Sequence, residues 1–225
     1  MQVINTNVAA LFAGSALNRS ANALQTAQAR LASGLRINSA KDDATGLGIA
    51  TGFDSQIRGT NMAIRVANDA ISSAQTNDGY GAQVLENLQR LREVAVQLGG
   101  TATGAEATAL VAENARISGL TTAATATAVD GNGTLVTGVS ATITAPTGLS
   151  VSAIDADITA VNSARANYGA DMVRFSSAVS SMQTASVNLS AAYSRVMDTD
   201  YAAETASMTR NNILQQAGVA VLAQA

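Results

Sequence analysis

The sequence predicts a mainly α-helical protein. Its N- and C-terminal segments pair as an elongated antiparallel coiled-coil bundle, and a small β-hairpin or loop region occupies the middle. Three observations carry this. The 225 residues include a single proline and are 47% hydrophobic, yet only 3% aromatic. Much of that hydrophobic content is alanine, the strongest helix former and a residue that lets helices approach closely. The C-terminal flank repeats apolar residues at alternating steps of four and three, the mark of a helix seam held against one partner face. The charge map divides the chain, since Asp130 is the one charged residue between Arg116 and Asp155.

Each element follows from its own stretch. Leu17, Leu24 and Leu31 fall seven apart and define a first helix that Gly34 can stop in a left-handed cap. Asn38-Ser-Ala-Lys-Asp-Asp-Ala-Thr-Gly46 is polar and turn-rich, a loop between helices. Ile57, Ile64 and Ile71, then Val84, Leu88, Leu91, Ala95 and Leu98, carry a second seam that Gly99-Gly100 ends. A short helix follows over Ala105–Gly119. Asp130-Gly-Asn-Gly133 is a turn signal. Leu135-Val136, Val139–Thr144 and Leu149–Val151 read as short strands punctuated by Gly138 and Pro146-Thr-Gly148. The longest seam runs through Ile154, Ile158, Val161, Arg165, Tyr168, Met172, Phe175, Val179, Met182, Ser186, Leu189, Tyr193 and Val196. Ser152 and Asp155 fit a capping box at its start. A helix of about 43 residues would be roughly 65 Å long. Asp200 suits the N-cap of a last helix through Ile213, Leu214 and Val221.

Composition excludes several functions. With no cysteine and no histidine, there is no disulfide framework, no thiolate metal site and no imidazole base to activate the many serines and threonines. No catalytic constellation and no cofactor or metal site is expected. Asp42-Asp43 and Asp198/Asp200 invite a cation, but their places at helix boundaries favour capping of backbone N–H groups. Asp155 and Asp157 read as first-turn acids favoured by the helix dipole. A net charge of −3 suits no nucleic acid. Ala217-Gly-Val-Ala-Val-Leu-Ala223 is far short of the roughly 20 residues that span a bilayer. The N-terminus carries no basic, apolar leader.

Five stretches, in order along the chain, resemble bacterial flagellin. They are Gln2-Val-Ile-Asn-Thr-Asn7, Arg30-Leu-Ala-Ser-Gly-Leu-Arg-Ile-Asn-Ser-Ala-Lys-Asp-Asp-Ala44, Leu88-Gln-Arg-Leu-Arg-Glu-Val-Ala-Val-Gln97 and Ser163-Ala-Arg-Ala-Asn-Tyr-Gly169. The fifth is Asp200-Tyr-Ala-Ala-Glu204 with Ile213-Leu-Gln-Gln-Ala-Gly218 and Val221-Leu-Ala-Gln-Ala225. The resemblance covers about residues 1–98 and 155–225 and implies a structural subunit of the flagellar filament. It implies an inner filament domain from residues 1–38 and 198–225, a connecting spoke at 39–45, and a rod domain from 46–119 and 154–197. Residues 120–153 would form the hairpin or variable tip, too short for the large outer domains that many members carry. Family members continue past the point matching Ala225, so the last helix is expected to be shortened. The phenylalanine- and asparagine-bearing hairpin motif expected after Gly100 is absent.

The resemblance also implies partners and sites. The partners are other subunits in a helical homopolymer, an export chaperone held by the C-terminal helices, and the flagellin-sensing Toll-like receptor of animal hosts. It implies an extracellular filament exported without a cleaved signal peptide. Gln89, Arg90, Arg92, Glu93 and Gln97 match by type the family segment that packs between subunits and meets the receptor. Two arginines and a glutamate on one helix face suit a charge-complementary contact; a solvated face with local charge pairs is the competing reading. Leu17, Leu24, Leu31, Ile57, Ile64, Ile158, Val161, Met172, Phe175, Val179, Met182, Leu189 and Val196 are the expected coiled-coil seam. A hook–filament junction protein and a surface-binding module are the alternative functions.

Overall fold

The computed structural model describes residues 7–121, 127–129, 135–137 and 142–224. Among these the helices are α1 (Val8–Ser33), α2 (Ala44–Gln97), α3 (Ala105–Leu120), α4 (Val151–Met197) and α5 (Tyr201–Gln224). Two three-residue strands, β1 (Thr127–Val129) and β2 (Leu135–Thr137), pair antiparallel with Ala128 opposite Val136. The chain forms two compact units, Met1–Ser55 with Leu189–Ala225, and Gln56–Asn188.

In the first unit α1 packs along α5. Asn7 caps α1, its Oδ1 accepting from the Ala10 N–H at 3.1 Å. Gly34 ends it at φ 72°, where its N–H donates to the Arg30 carbonyl at 2.8 Å. That left-handed backbone is the one glycine adopts without steric cost. Asp42 closes the following turn by accepting from the Asn38 and Ser39 N–H groups and the Ser39 hydroxyl. Asp43 Oδ1 accepts from the Gly46 N–H at 2.9 Å. It thereby caps α2, which begins at Ala44 and so takes up the last two residues of the expected 39–45 connection. Ile37, Ala50 and Met197 are buried together, with Leu35, Leu47, Tyr193 and Val196 packed on them. Gly46 is pinned in this cluster: a Cβ there would lie 2.7 Å from Ile37 Cδ1.

The second unit is built by α2 from Gln56, α3, the segment before α4, and α4 to Asn188. Val84, Leu88, Leu91, Val94 and Ala95 of α2 meet Ala107 and Ile117 of α3 and Ile154, Val161, Ala164 and Tyr168 of α4. Further along, Ala63, Ala67 and Ala70 of α2 receive Phe175 and Met182 of α4. Gly99 and Gly100, at φ 85° and 119°, turn the chain out of α2. There the Gly100 carbonyl accepts from the Val151 N–H, and the Ala102 N–H donates to the Leu149 carbonyl.

Three expectations change. Helix α4 starts at Val151, ahead of the expected Ser152 cap; Ser150 Oγ accepts from the Ala153 N–H at 3.4 Å instead. Ser150 is fixed as the boundary because it bridges Thr101. Of the expected strand runs, residues 142–148 are irregular, and Ile143 is buried as a plug in the first core cluster. Leu149–Val151 holds a bend, a single bridge and the first residue of α4. The turn Asp130–Gly133 lies outside the described residues, as do residues 122–126 and 138–141 of the expected 120–153 hairpin region, so two three-residue strands do not amount to that hairpin.

Phe175 is nearly completely buried among alanines. Phe175→Ala leaves a cavity that the short alanine side chains cannot fill, and should destabilise this unit by about 3–5 kcal/mol in denaturant unfolding. Tyr168 is fully buried, and burial pushes its phenol above the ordinary value of 10.0. Below that pH both folded and unfolded chains hold the neutral phenol. Above it the unfolded chain ionises first, so stability falls as pH rises toward the folded value. Tyr168→Phe should make the alkaline unfolding curve shallower.

Candidate functional site

The segment Gln89–Gln97 lies on the C-terminal part of α2. Leu88, Leu91, Val94 and Ala95 turn into the core, which leaves Gln89, Arg90, Arg92, Glu93, Val96 and Gln97 exposed. The two arginines do not share a face. Residues two apart on a helix stand about 200° from each other, and here they reach different neighbours. Arg90 Nε lies 2.8 Å from Glu106 Oε1 of α3, and its Nη1 lies 3.0 Å from Glu93 Oε2. Arg92 holds Asp155 of α4 in a fork, with Nε to Oδ1 at 2.6 Å and Nη2 to Oδ2 at 3.4 Å. Hydrogen bonds to Glu106 and then Glu93 push the Arg90 guanidinium up, and the bond to Asp155 does the same for Arg92. Both stay charged at any working pH. The segment therefore shows an exposed polar strip whose cations already tie α2 to α3 and to α4. Glu106 and Asp155, which sequence reasoning did not pair with these arginines, sit early in α3 and α4.

The carboxylates at helix boundaries are committed to hydrogen bonds. Hydrogen bonds from Ser39 and Asn38 hold the Asp42 carboxyl below the usual range. Asp200 Oδ1 accepts from the Ala202 and Ala203 N–H groups, so it caps α5. Asp198 accepts from the Ser194 hydroxyl at 2.6 Å. Asp157, expected in a first helical turn, lies deeper in α4. It is buried, and it accepts from both the Thr147 N–H and the Thr147 hydroxyl at 3.0 Å. It anchors the segment that precedes α4.

The expected seam residues divide by burial. Val161, Phe175 and Met182 are buried. Leu17, Leu24, Leu31, Ile57, Ile64, Ile158, Met172, Val179, Leu189 and Val196 are half-buried.

The first unit carries a different kind of surface. Along α1 and α5 large apolar side chains face outward, with Phe12 71% and Ile213 60% exposed, joined by Leu11, Leu214, Val219 and Val221. An open groove of about 500 Å³ runs between the two helices, floored by Ala13, Ala16, Ala217 and Gly218. A second apolar groove, about 840 Å³, follows α5 from Tyr201 to Leu214. Contiguous exposed apolar surface of this kind marks an interaction site. Among the described residues no helix is long and apolar enough to cross a membrane.

Comparison with known proteins agrees on one family. Residues 4–137 match the bacterial flagellin N-terminal helical region, and residues 151–225 match the bacterial flagellin C-terminal helical region. The chain is 56% identical over 96 residues to flagellin of Salmonella rubislaw, covering 43% of this chain and 20% of that protein. Flagellin and phase 2 flagellin of Salmonella typhimurium (strain LT2) match to the same extent, over 19% of their length. The matched region thus spans about a fifth of the length of these relatives.

Arg92 and Asp155 are both about half exposed. Arg92→Ala should therefore change the unfolding midpoint little, with an equally small coupling to Asp155→Ala in a double-mutant cycle. Asp157→Ala removes two charge-assisted bonds from a buried site and should cost more, about 1.5–3 kcal/mol, by thermal or urea unfolding.

Proposed function

The chain belongs to the bacterial flagellin family, and on that premise we propose that it is a structural subunit of a flagellar filament, built by self-association and not by catalysis. The observation that carries this reading is the exposed apolar surface on α1 and α5. A helix pair that leaves Phe12, Leu11, Ile213 and Val221 in water gains stability by burying them against further copies. Repeated identical contacts that do not close produce a helical polymer.

The domain division follows the same reading. Residues 1–38 and 198–225 form the inner, polymer-lining part, 39–45 the connecting spoke, 46–119 and 154–197 the rod, and 120–153 a small hairpin tip. Terminal segments of this kind order on assembly, where inter-subunit burial exceeds the conformational entropy lost. Export without a cleaved leader, an extracellular location and an export chaperone on the C-terminal helices belong to this proposal. The small residues in the groove, Ala13, Ala16, Ala217 and Gly218, suit helices that change register by small steps. The exposed residues Gln89, Arg90, Arg92, Glu93 and Gln97, with the two arginines on different sides of α2, are proposed as contacts between subunits and with the flagellin-sensing receptor.

Sedimentation and electron microscopy of the full-length chain test the polymer. Long helical fibres are expected, and a chain that stays monomeric at all concentrations rejects the reading. Phe12→Asp and Ile213→Asp should abolish fibres while leaving the melting of residues 56–188 unchanged. For the receptor, Arg90→Ala should lower signalling by the monomer more than Glu106→Gln does. The second variant loses the charge attraction to α3 but keeps the arginine on the surface. Equal signalling by wild type and Arg90→Ala removes the receptor role.

A further inference from the structure

The two connections within the first unit lie side by side. One leaves α1 at Gly34 and the other joins α4 to α5 through Asp198–Asp200. Leu35 and Asp198 form an isolated antiparallel bridge. The Arg36 N–H donates to the Met197 carbonyl at 2.6 Å, and the Thr199 N–H donates to the Gly34 carbonyl at 3.0 Å. Around this bridge two side chains cross from one half of the chain to the other. Arg36 Nη2 donates to the Val196 carbonyl at 2.8 Å, in the last turn of α4. The Tyr201 hydroxyl donates to the Leu31 carbonyl at 3.2 Å, in the last turn of α1. Carbonyls in a last helical turn have no donor within their own helix. Each half of the chain thus finishes a helix belonging to the other half. Arg30 and Glu204 add an ion pair at 3.7 Å beside it.

We propose that Arg36 and Tyr201 are positioning residues that form a reciprocal cap, making the ordering of α1 and α5 one event and not two. The rest of the pair supplies little that would otherwise couple them. Among the described residues Ala27 is the one fully buried side chain of α1, and α5 has none. A helix pair with so thin a core depends on where it is nucleated. The bridge brings together positions 160 and 170 residues apart in sequence. Once it is closed, pairing extends outward along both helices without a further large loop to close. This concerns one chain and holds whether or not copies polymerise.

Hydrogen–deuterium exchange on the full-length soluble chain tests it. Tyr201→Phe should speed exchange at Gly34 and Arg36, in the opposite half, by about three- to tenfold, the range for one lost hydrogen bond. Arg36→Gln should do the same at Asp198 and Thr199 and into α5, and Arg36→Lys, which keeps a donor, should restore part of the protection. The double variant should be little worse than either single one.

A second measurement covers a chain whose α1 and α5 exchange freely in solution. The protein has no cysteine, so Leu35→Cys with Asp198→Cys gives one possible disulfide. The two positions face each other as a non-hydrogen-bonded pair, with Cα atoms about 4.5 Å apart in such pairs, within disulfide reach. The oxidised form should slow exchange in both α1 and α5 relative to its reduced form. Variants that alter only their own half, together with a disulfide that protects neither or only one helix, overturn the proposal. Fibre formation enters neither readout, so failure here and failure of the filament reading are separable.

Discussion

Close contact between bulky side chains of α4 and small ones of α2 is the interaction on which the second unit rests. Ala63, Ala67, Ala70 and Ala74 recur at steps of four, three and four, and all are buried. Each presents one methyl group, so the helices can approach until Phe175 and Met182 of α4 fill the grooves between alanines. The row continues to Gly81, which carries no Cβ where Arg165 Cγ and Ile143 Cδ1 lie over the backbone. Volume comes from α4 and room comes from α2. A chain with 3% aromatic residues can build a dense interior in this way, because its few large side chains are not spread evenly. Tyr168 and Phe175 are both buried on the same helix.

Once the helices pack through a narrow seam, their ends decide where the chain turns. The ends are specified by single residues. Asn7, Asp43, Ser150 and Asp200 accept from first-turn N–H groups, and Gly34, Gly99 and Gly100 supply positive φ. A buried or half-buried helix end left without such partners would carry several unsatisfied polar groups. Acids used in this way are not free for chemistry. That is the physical reason why Asp42, Asp43, Asp198 and Asp200 read as structure once their bonds are drawn.

The helices were legible because their signals are local and periodic. The stop at Gly34, the exit at Gly99-Gly100 and the short third helix follow from backbone propensity and patterning alone. What stayed hidden depends on tertiary choice. The Ser152–Asp155 pattern is local, whereas the bridge from Ser150 to Thr101, which places the start of α4 at Val151, is not. Ile143 has the composition of a strand residue, but the core of α2, α3 and α4 has a gap that it fills. Arg90 and Arg92 are two residues apart and so stand about 200° from each other on α2, where their partners separate them. Glu106 and Asp155 are distant in sequence, and no local pattern assigns them. The reciprocal bonds of Arg36 and Tyr201 are the extreme case, since each acceptor is a backbone carbonyl, which no sequence pattern marks.

The contrast between the two units bears on why such a chain would associate. The second unit buries its large side chains within itself, and it exposes apolar residues such as Met62, Val173 and Val187 one at a time. Scattered exposure of that kind is ordinary for a folded surface. The first unit exposes a run of large apolar residues along α1 and α5, and Phe12, Leu17, Leu214 and Val221 line the groove between the helices beside alanine and glycine. That outward apolar surface leaves favourable burial available to whatever covers it. An identical copy presents the same outward side chains together with the same grooves, so it offers both what fills and what is filled. That self-complementarity supports polymerisation as the use of this unit. The bonds between the two connections add a constraint on the pair that lies within one chain and needs no neighbour.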